Sequence, residues 1–139
     1  MIGKNLEELR PHYKDRIQQY LNEPSFFSDL SIIKGSQEVI RDLQIEYEIF
    51  ITTAAMEHPT SFEPKYQWLK KNFEFLSDLN FVFCGDKSII NADYLIDDNA
   101  RHFKKFRGQG ILFTAPHNIK ETSYVRVNDW SEVREYFLG

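Results

Sequence analysis

From residue 36 onward, short apolar runs rich in β-branched and aromatic residues alternate with stretches whose apolar residues recur at helical spacing. Few architectures satisfy that order. Val39, Ile40 and Leu43 mark a helix that Ser36 is placed to cap, and Tyr47 to Thr52 (YEIFIT) reads as a buried strand. Glu57 to Ser61, with Pro59, reads as a loop. Phe62 to Phe73 follows as a helix bearing Tyr66, Trp68 and Leu69, and Phe81 to Phe83 (FVF) is the next strand. Tyr94 to Ile96 is a third strand, ending in Asp97 and Asp98, and Asn99 to Phe106 reads as a basic helix. Gly110 to Phe113 and Tyr124 to Val127 complete five strands, and Asp129 is placed to cap a closing helix from Trp130 to Phe137. Strands that alternate with helices pair in parallel through right-handed crossovers, so the expected fold is an α/β layered domain with its sheet covered on both faces. Upstream, Leu6, Leu9, Tyr13, Ile17, Tyr20 and Leu21 recur at roughly helical spacing around Pro11, which predicts two short helices up to Asn22.

With 139 residues, 42% of them hydrophobic, the chain can build one core and is too short for two, so residues 1–139 are expected to form a single domain. Lysine and arginine number 17 against 21 aspartates and glutamates, a formal charge of −4, and no basic block stands ready to neutralise a phosphate backbone. Nucleic acid is thereby a poor partner, whereas a single nucleotide remains compatible. Cys84 is the sole cysteine, which excludes an internal disulfide and the Cys/His spacings that hold zinc, and points to a reducing, cytoplasmic setting. The most apolar window, Tyr47 to Met56, is too short to span a bilayer. Lys4, Glu7, Glu8 and Arg10 follow Met1 where a signal peptide would be apolar, so no membrane partner is expected.

Ligands of open parallel sheets bind beyond the carboxyl ends of the strands. Three of those ends carry reactive or ion-binding groups here. The first strand ends in Thr52 and Thr53, the second leads through Cys84 and Gly85 to Asp86 and Lys87, and the third ends in Asp97 and Asp98. Carboxylate oxygens bind a hard cation such as Mg²⁺, while a lysine and a hydroxyl stabilise charge on a phosphoryl group. Taken singly, each has a plainer reading: β-propensity for the threonines, solvation for Lys87, a turn and helix cap for Asp97-Asp98-Asn99, and packing for Phe26 and Phe27. His58, His102 and His117 read as surface or packing residues. The joint order of threonine, lysine and aspartate pair on successive strand ends favours the functional reading.

That order resembles the haloacid dehalogenase superfamily and, within it, the 5'(3')-deoxyribonucleotidases. The string IFITTAA at residues 49–55 is similar to the family's second motif, with Thr53 as the phosphate-binding hydroxyl. GDKSIINADYLIDD at residues 85–98 is similar to the third and fourth motifs, with Lys87 as the phosphate-binding lysine and Asp97-Asp98 as the acidic pair. The resemblance implies that Asp98 ligates Mg²⁺ directly and that Asp97 supports it. PSFFSDLSIIKGSQEVI at residues 24–40 is similar to the family's connection from cap to core, which makes Phe26 and Phe27 substrate contacts of the nucleoside pocket. On this likeness residues 1–34 form a small helical cap portion and its connection, residues 35–139 form a three-layer Rossmann-like core, and the activity is a magnesium-dependent phosphomonoesterase for nucleoside monophosphates. Phosphatase action on another small phosphate ester, or a non-catalytic binding role, are the alternatives, and homo-oligomerisation is left open.

The sequence departs from the family pattern in one decisive place. The first motif is a strand followed by DxD, whose first aspartate attacks phosphorus and whose second serves as acid and base, and no DxD occurs in the 139 residues. Ala54 and Gly85 also stand where related nucleotidases often have serine and arginine. Because the resemblance implies that the DxD strand lies mid-sheet, between the strands ending at Thr53 and Asp97, its loss is expected to open a gap. Three outcomes are anticipated: the two strands close up, another chain supplies a strand, or the domain is partly unfolded. Direct closure would bring Thr53 and Asp98 too close for a phosphate and a metal.

Overall fold

The computed structural model describes residues 17–22, 27–28, 31–53, 62–83 and 89–139. The helices anticipated before residue 17, the loop at 57–61, Phe26, Cys84 and Lys87 lie outside the described residues. Six strands form one wholly parallel sheet: β1 (Gln18–Asn22), β4 (Glu48–Thr53), β5 (Phe81–Phe83), β6 (Tyr94–Asp97), β7 (Gln109–Phe113) and β8 (Val125–Val127), in the order β5-β4-β1-β6-β7-β8. Two further strands, β2 (Phe27–Ser28) and β3 (Ser31–Ile32), make a small antiparallel hairpin. Among the described residues the α-helices are α1 (Ser36–Glu46), α2 (Phe62–Asn72) and α3 (Trp130–Leu138).

The chain leaves β1 in one direction to build β4 and β5, then returns to β6 and runs the other way to β7 and β8. The strand order reverses between β1 and β6. Each helix shows the stripe expected of it. Val39, Ile40 and Leu43 of α1, Leu69 of α2 with Phe73 just beyond it, and Trp130 and Val133 of α3 are buried in one cluster with Leu21, Ile49, Ile51, Ile96 and Ile111 of the sheet. The opposite face carries a smaller cluster of Ile90, Leu95, Phe103, Phe106 and Leu112, with Tyr20 and Val82 packed against it. No helix among the described residues covers that second face. The segment Asn99 to Phe106, expected as a helix, forms only a 3₁₀ turn at Ala100–Phe103. Asn99 caps this turn by accepting from the Arg101 amide at 3.1 Å. Gly110 makes the turn possible, because a Cβ there would run into the Phe103 ring.

Two local expectations need correction. Ser36 does not cap α1: the preceding residue, Gly35, takes that place at φ 85, a left-handed conformation that suits glycine, and the Ser36 hydroxyl is buried inside the first turn. Gln18–Asn22, expected at the end of a helix, is a strand, and no helix occurs among the described residues before Ser36. The second correction resolves the anticipated gap. The two strands do not close up, because the chain's own residues 18–22 fill the position between β4 and β6. Leu21 registers between Ile51 and Ile96, all five residues of β1 pair with β4 and Gln19 to Leu21 pair with β6, and the Gln18 backbone amide donates to the Asp93 carboxylate at 2.8 Å. Backbone pairing decides the outcome, since a row of unmet amides and carbonyls in a buried sheet would cost about 1–3 kcal/mol per group.

Candidate active site

The reversal between β1 and β6 is the place where open α/β sheets bind ligands, since the adjoining crossovers leave in opposite directions. Three strands end there in polar groups: β4 in Thr52 and Thr53, β1 in Asn22, and β6 in Asp97, with Asp98 next. Thr52, Thr53 and Asp97 are fully buried and Asn22 nearly so. Burial of this kind requires partners. Asn22 Nδ2 donates to Asp97 Oδ1 at 2.8 Å, and the Asn99 amide donates to the same oxygen at 3.0 Å. Asp97 therefore ties the central strand to the turn after β6. With β1 between them, β4 and β6 stand two strand spacings apart, about 9–10 Å, so the rim is not collapsed in the way direct closure would have required.

Asp98 differs from Asp97. Its side chain keeps 18% of its exposure, and Oδ2 lies 3.2 Å from Nε2 of His117, which is itself more than half exposed. The backbone is held from the same loop. Asn118 Nδ2 donates to the carbonyls of Asp98 and Phe113, both at 2.8 Å. Arg126 of β8 fixes that loop by donating to Thr114 Oγ1, to Asn118 Oδ1 and O, and to the Glu121 carbonyl. His117, Asn118 and Arg126 were not legible as site residues. They lie 19 to 28 positions after Asp98, and the only local signal is the turn chemistry of Pro116-His117-Asn118.

Of the expected site residues, then, the fold gathers Thr53, Asp97 and Asp98 at one rim. Lys87 and Phe26 lie outside the described residues, and Phe27 is placed only by its backbone, paired with Ile32 in the hairpin. Among the described residues no group of three or more His, Cys, Asp or Glu side chains could cage a metal. The oxygen donors of Asp98 and Asp97 do suit a hard cation of the kind held by one or two carboxylates and completed by water and phosphate. A cleft of about 530 Å³ lies elsewhere, between α2 and the edge strand β5, lined by Glu63, Tyr66, Gln67, Asp78, Phe81 and Phe83. There the Tyr66 hydroxyl donates to Asp78 at 2.6 Å and holds its carboxyl below the usual range, while Asp78 in turn raises Lys70. This exposed trio is separated from β1 by the whole of β4, and the rim residues take no part in it.

Residues 1–138 match the family model described as "5' nucleotidase, deoxy (Pyrimidine), cytosolic type C protein". The chain belongs to this family. The family lies within the haloacid dehalogenase superfamily, and the α/β core agrees with that placement. A Staphylococcus epidermidis protein with the provisional name 5'(3')-deoxyribonucleotidase is 47% identical over 135 residues, spanning 97% of this chain and 75% of the relative. A Staphylococcus aureus relative of the same provisional name is 47% identical over 136 residues, spanning 98% of this chain and 76% of its own. The 5'(3')-deoxyribonucleotidase of Bacillus subtilis is 42% identical over 112 residues, 81% of this chain and 65% of that protein. Among the described residues, no helix of this family member is long and apolar enough to cross a membrane.

Proposed function

We propose that this chain carries the phosphate- and metal-binding part of a magnesium-dependent phosphomonoesterase for (deoxy)nucleoside monophosphates. One observation carries the reading: Thr53, Asp97 and Asp98 share the carboxyl rim at the switch point, in a chain 47% identical over 135 residues to a relative named for that activity. Thr53 and Lys87 bind the phosphate, and Phe26 and Phe27 contact the nucleoside. Asp98 holds Mg²⁺, and Asp97 supports it by fixing Asn22 and the Asn99 amide. When bound, the cation neutralises charge on phosphoryl oxygens. His117, at the Asp98 carboxylate, and Asn118, which donates to the Asp98 backbone carbonyl, orient that residue. A cytoplasmic setting suits the reduced state of the lone Cys84.

Hydrolysis through an aspartyl-phosphate needs a carboxylate to attack phosphorus and a second group to protonate the departing nucleoside oxygen. At the end of the central strand stands Asn22, a neutral amide already donating to Asp97. An amide supplies neither role, so the 139 residues bind but do not turn over. This amide also favours the second reading, a non-catalytic phosphate-binding domain. Calorimetric titration of Mg²⁺ is the first test: Asp98→Asn should weaken binding at least tenfold while the fold persists by circular dichroism. Unchanged metal affinity would sink the assignment of Asp98. In a form supplied with a nucleophile, Lys87→Ala should mainly lower the single-turnover rate, and a panel of phosphate esters would separate nucleotides from other substrates.

A further inference from the structure

The cleft between α2 and β5 joins aromatic rings to carboxylates. Of the described residues that line it, Tyr66, Phe81 and Phe83 are aromatic, Glu63 and Asp78 are acidic, and Gln67 is neutral. Tyr66 and Phe81 stand at 78° to each other with ring centroids 6.4 Å apart, so their planes form a corner. Phe83 follows two positions along the strand and so falls on the same face as Phe81. Glu63, Tyr66 and Gln67 have the three- and four-residue spacing that brings side chains together on one face of a helix. Asp78 enters from the opposite wall, on the 3₁₀ turn Asp78–Asn80 that leads into β5.

These walls already attract a cation. Lys70 Nζ lies 5.5 Å from the centre of the Tyr66 ring and 3.5 Å from Asp78 Oδ2, since the face of an aromatic ring is electron-rich. The Tyr66 hydroxyl donates to the same oxygen at 2.6 Å, which keeps Asp78 ionised and leaves Oδ1 for another donor. Among the described residues no cation pairs with Glu63. At about 530 Å³ the cleft has the size of a small-molecule site. Its carboxylates and ring faces repel a phosphate, which sets it apart from the rim at Asp97.

We propose that this cleft binds a small aliphatic dication, with a primary ammonium or guanidinium group at each end of a short methylene chain. Glu63 on one wall and Asp78 Oδ1 on the other each receive a charged end, and the three rings cover the chain between them. Two carboxylates left to be matched favour a dication over the single charge of a partner protein's lysine or arginine. The inference holds whether or not the nucleotidase reading does.

Putrescine and agmatine are the probes, titrated at constant ionic strength into the 139-residue chain and followed by nuclear magnetic resonance. Expected are saturable shifts of the Tyr66, Phe81 and Phe83 ring protons with both probes, none with uncharged butanediol, and no change at Thr53 or Asp97. Glu63→Gln, Asp78→Asn and Phe81→Leu should each weaken binding by about threefold to fivefold, the weight of one exposed ion pair or cation–π contact. Glu63 makes no ion pair within the described fold, so its variant separates loss of the ligand from loss of structure. Unchanged affinity in both Glu63→Gln and Asp78→Asn, or shifts spread over exposed carboxylates such as Glu46 and Glu135, would overturn the site. Butylamine binding as tightly as putrescine would overturn the dication. Acetyl-arginine amide binding more tightly than agmatine would assign the cleft to a partner protein's side chain instead.

Discussion

The two strands that meet at the switch point, β1 and β6, occupy equivalent places and are built on different terms. β6 (YLID) buries Leu95 and Ile96 on opposite faces and ends in Asp97, whose Oδ1 accepts from Asn22 Nδ2 and from the Asn99 amide. Its sequence, its pairing and its terminal chemistry agree. β1 (QQYLN) is paired on both sides but buries an unpartnered amide at Gln19 and ends in Asn22. The difference shows that a strand can be imposed by its neighbours. When two strands each present a buried row of backbone groups, satisfying them outweighs the preferences of the segment that lies between.

The comparison breaks first under truncation of the cores of the two strands. Ile96→Ala should destabilise the fold by about 2–5 kcal/mol, the usual cost of deleting a buried aliphatic side chain. Leu21→Ala, equally buried, should cost less, because its effect is capped by the free energy of locally opening β1. Urea denaturation of both variants reads the difference, and equal losses would make β1 as integral as β6. Gln19→Leu sharpens the same contrast in the other direction. Removing an unpartnered buried amide should stabilise by about 1–3 kcal/mol, and a loss of stability would mean that the Gln19 amide is satisfied.

These contrasts explain what could be read in the sequence. β4, β5, β6, β7, β8 and α1, α2, α3 were legible because β-branched runs and helical stripes agree with where those segments pack. β1 was not, since its spacing is helical and its strand state is set by β4 and β6. The hairpin of β2 and β3 has strands of two residues, too short for any periodicity to register. The basic segment after Asp98 was misread because Phe103 and Phe106 pack against β7 through a single tight turn. At the site, Thr53 and Asp97-Asp98 were legible as strand ends, while His117 and Asn118 reach Asp98 only through the fold.

The smallest effect is expected far from the switch point, at the cap of α3. Asp129 accepts from the Glu132 amide at 2.9 Å, and that bond, with one from Ser131, holds its carboxyl below the usual range. A depressed carboxyl stabilises the fold above the ordinary aspartate range near about pH 4, and loses that contribution as pH falls through the lower folded value. Asp129→Ala should therefore lower Tm slightly at pH 7 and less at pH 3, in paired thermal melts. An equal loss at both values would show that the charge on Asp129 plays no part in the cap.

The central proposal is that Thr53, Asp97 and Asp98 bind phosphate and metal at the rim, and that Asn22, at the end of the central strand, cannot take the part of the nucleophile. Phosphate release from deoxyribonucleoside monophosphates, with Mg²⁺ present, tests it on two proteins: the 139-residue chain and the same chain preceded by an apolar strand ending in Asp-x-Asp. The expected result is no release by the first and turnover by the second, abolished when the leading Asp is changed to Asn. Turnover by the 139-residue chain itself, surviving removal of contaminating phosphatases and lost in Asp98→Asn, would contradict the account.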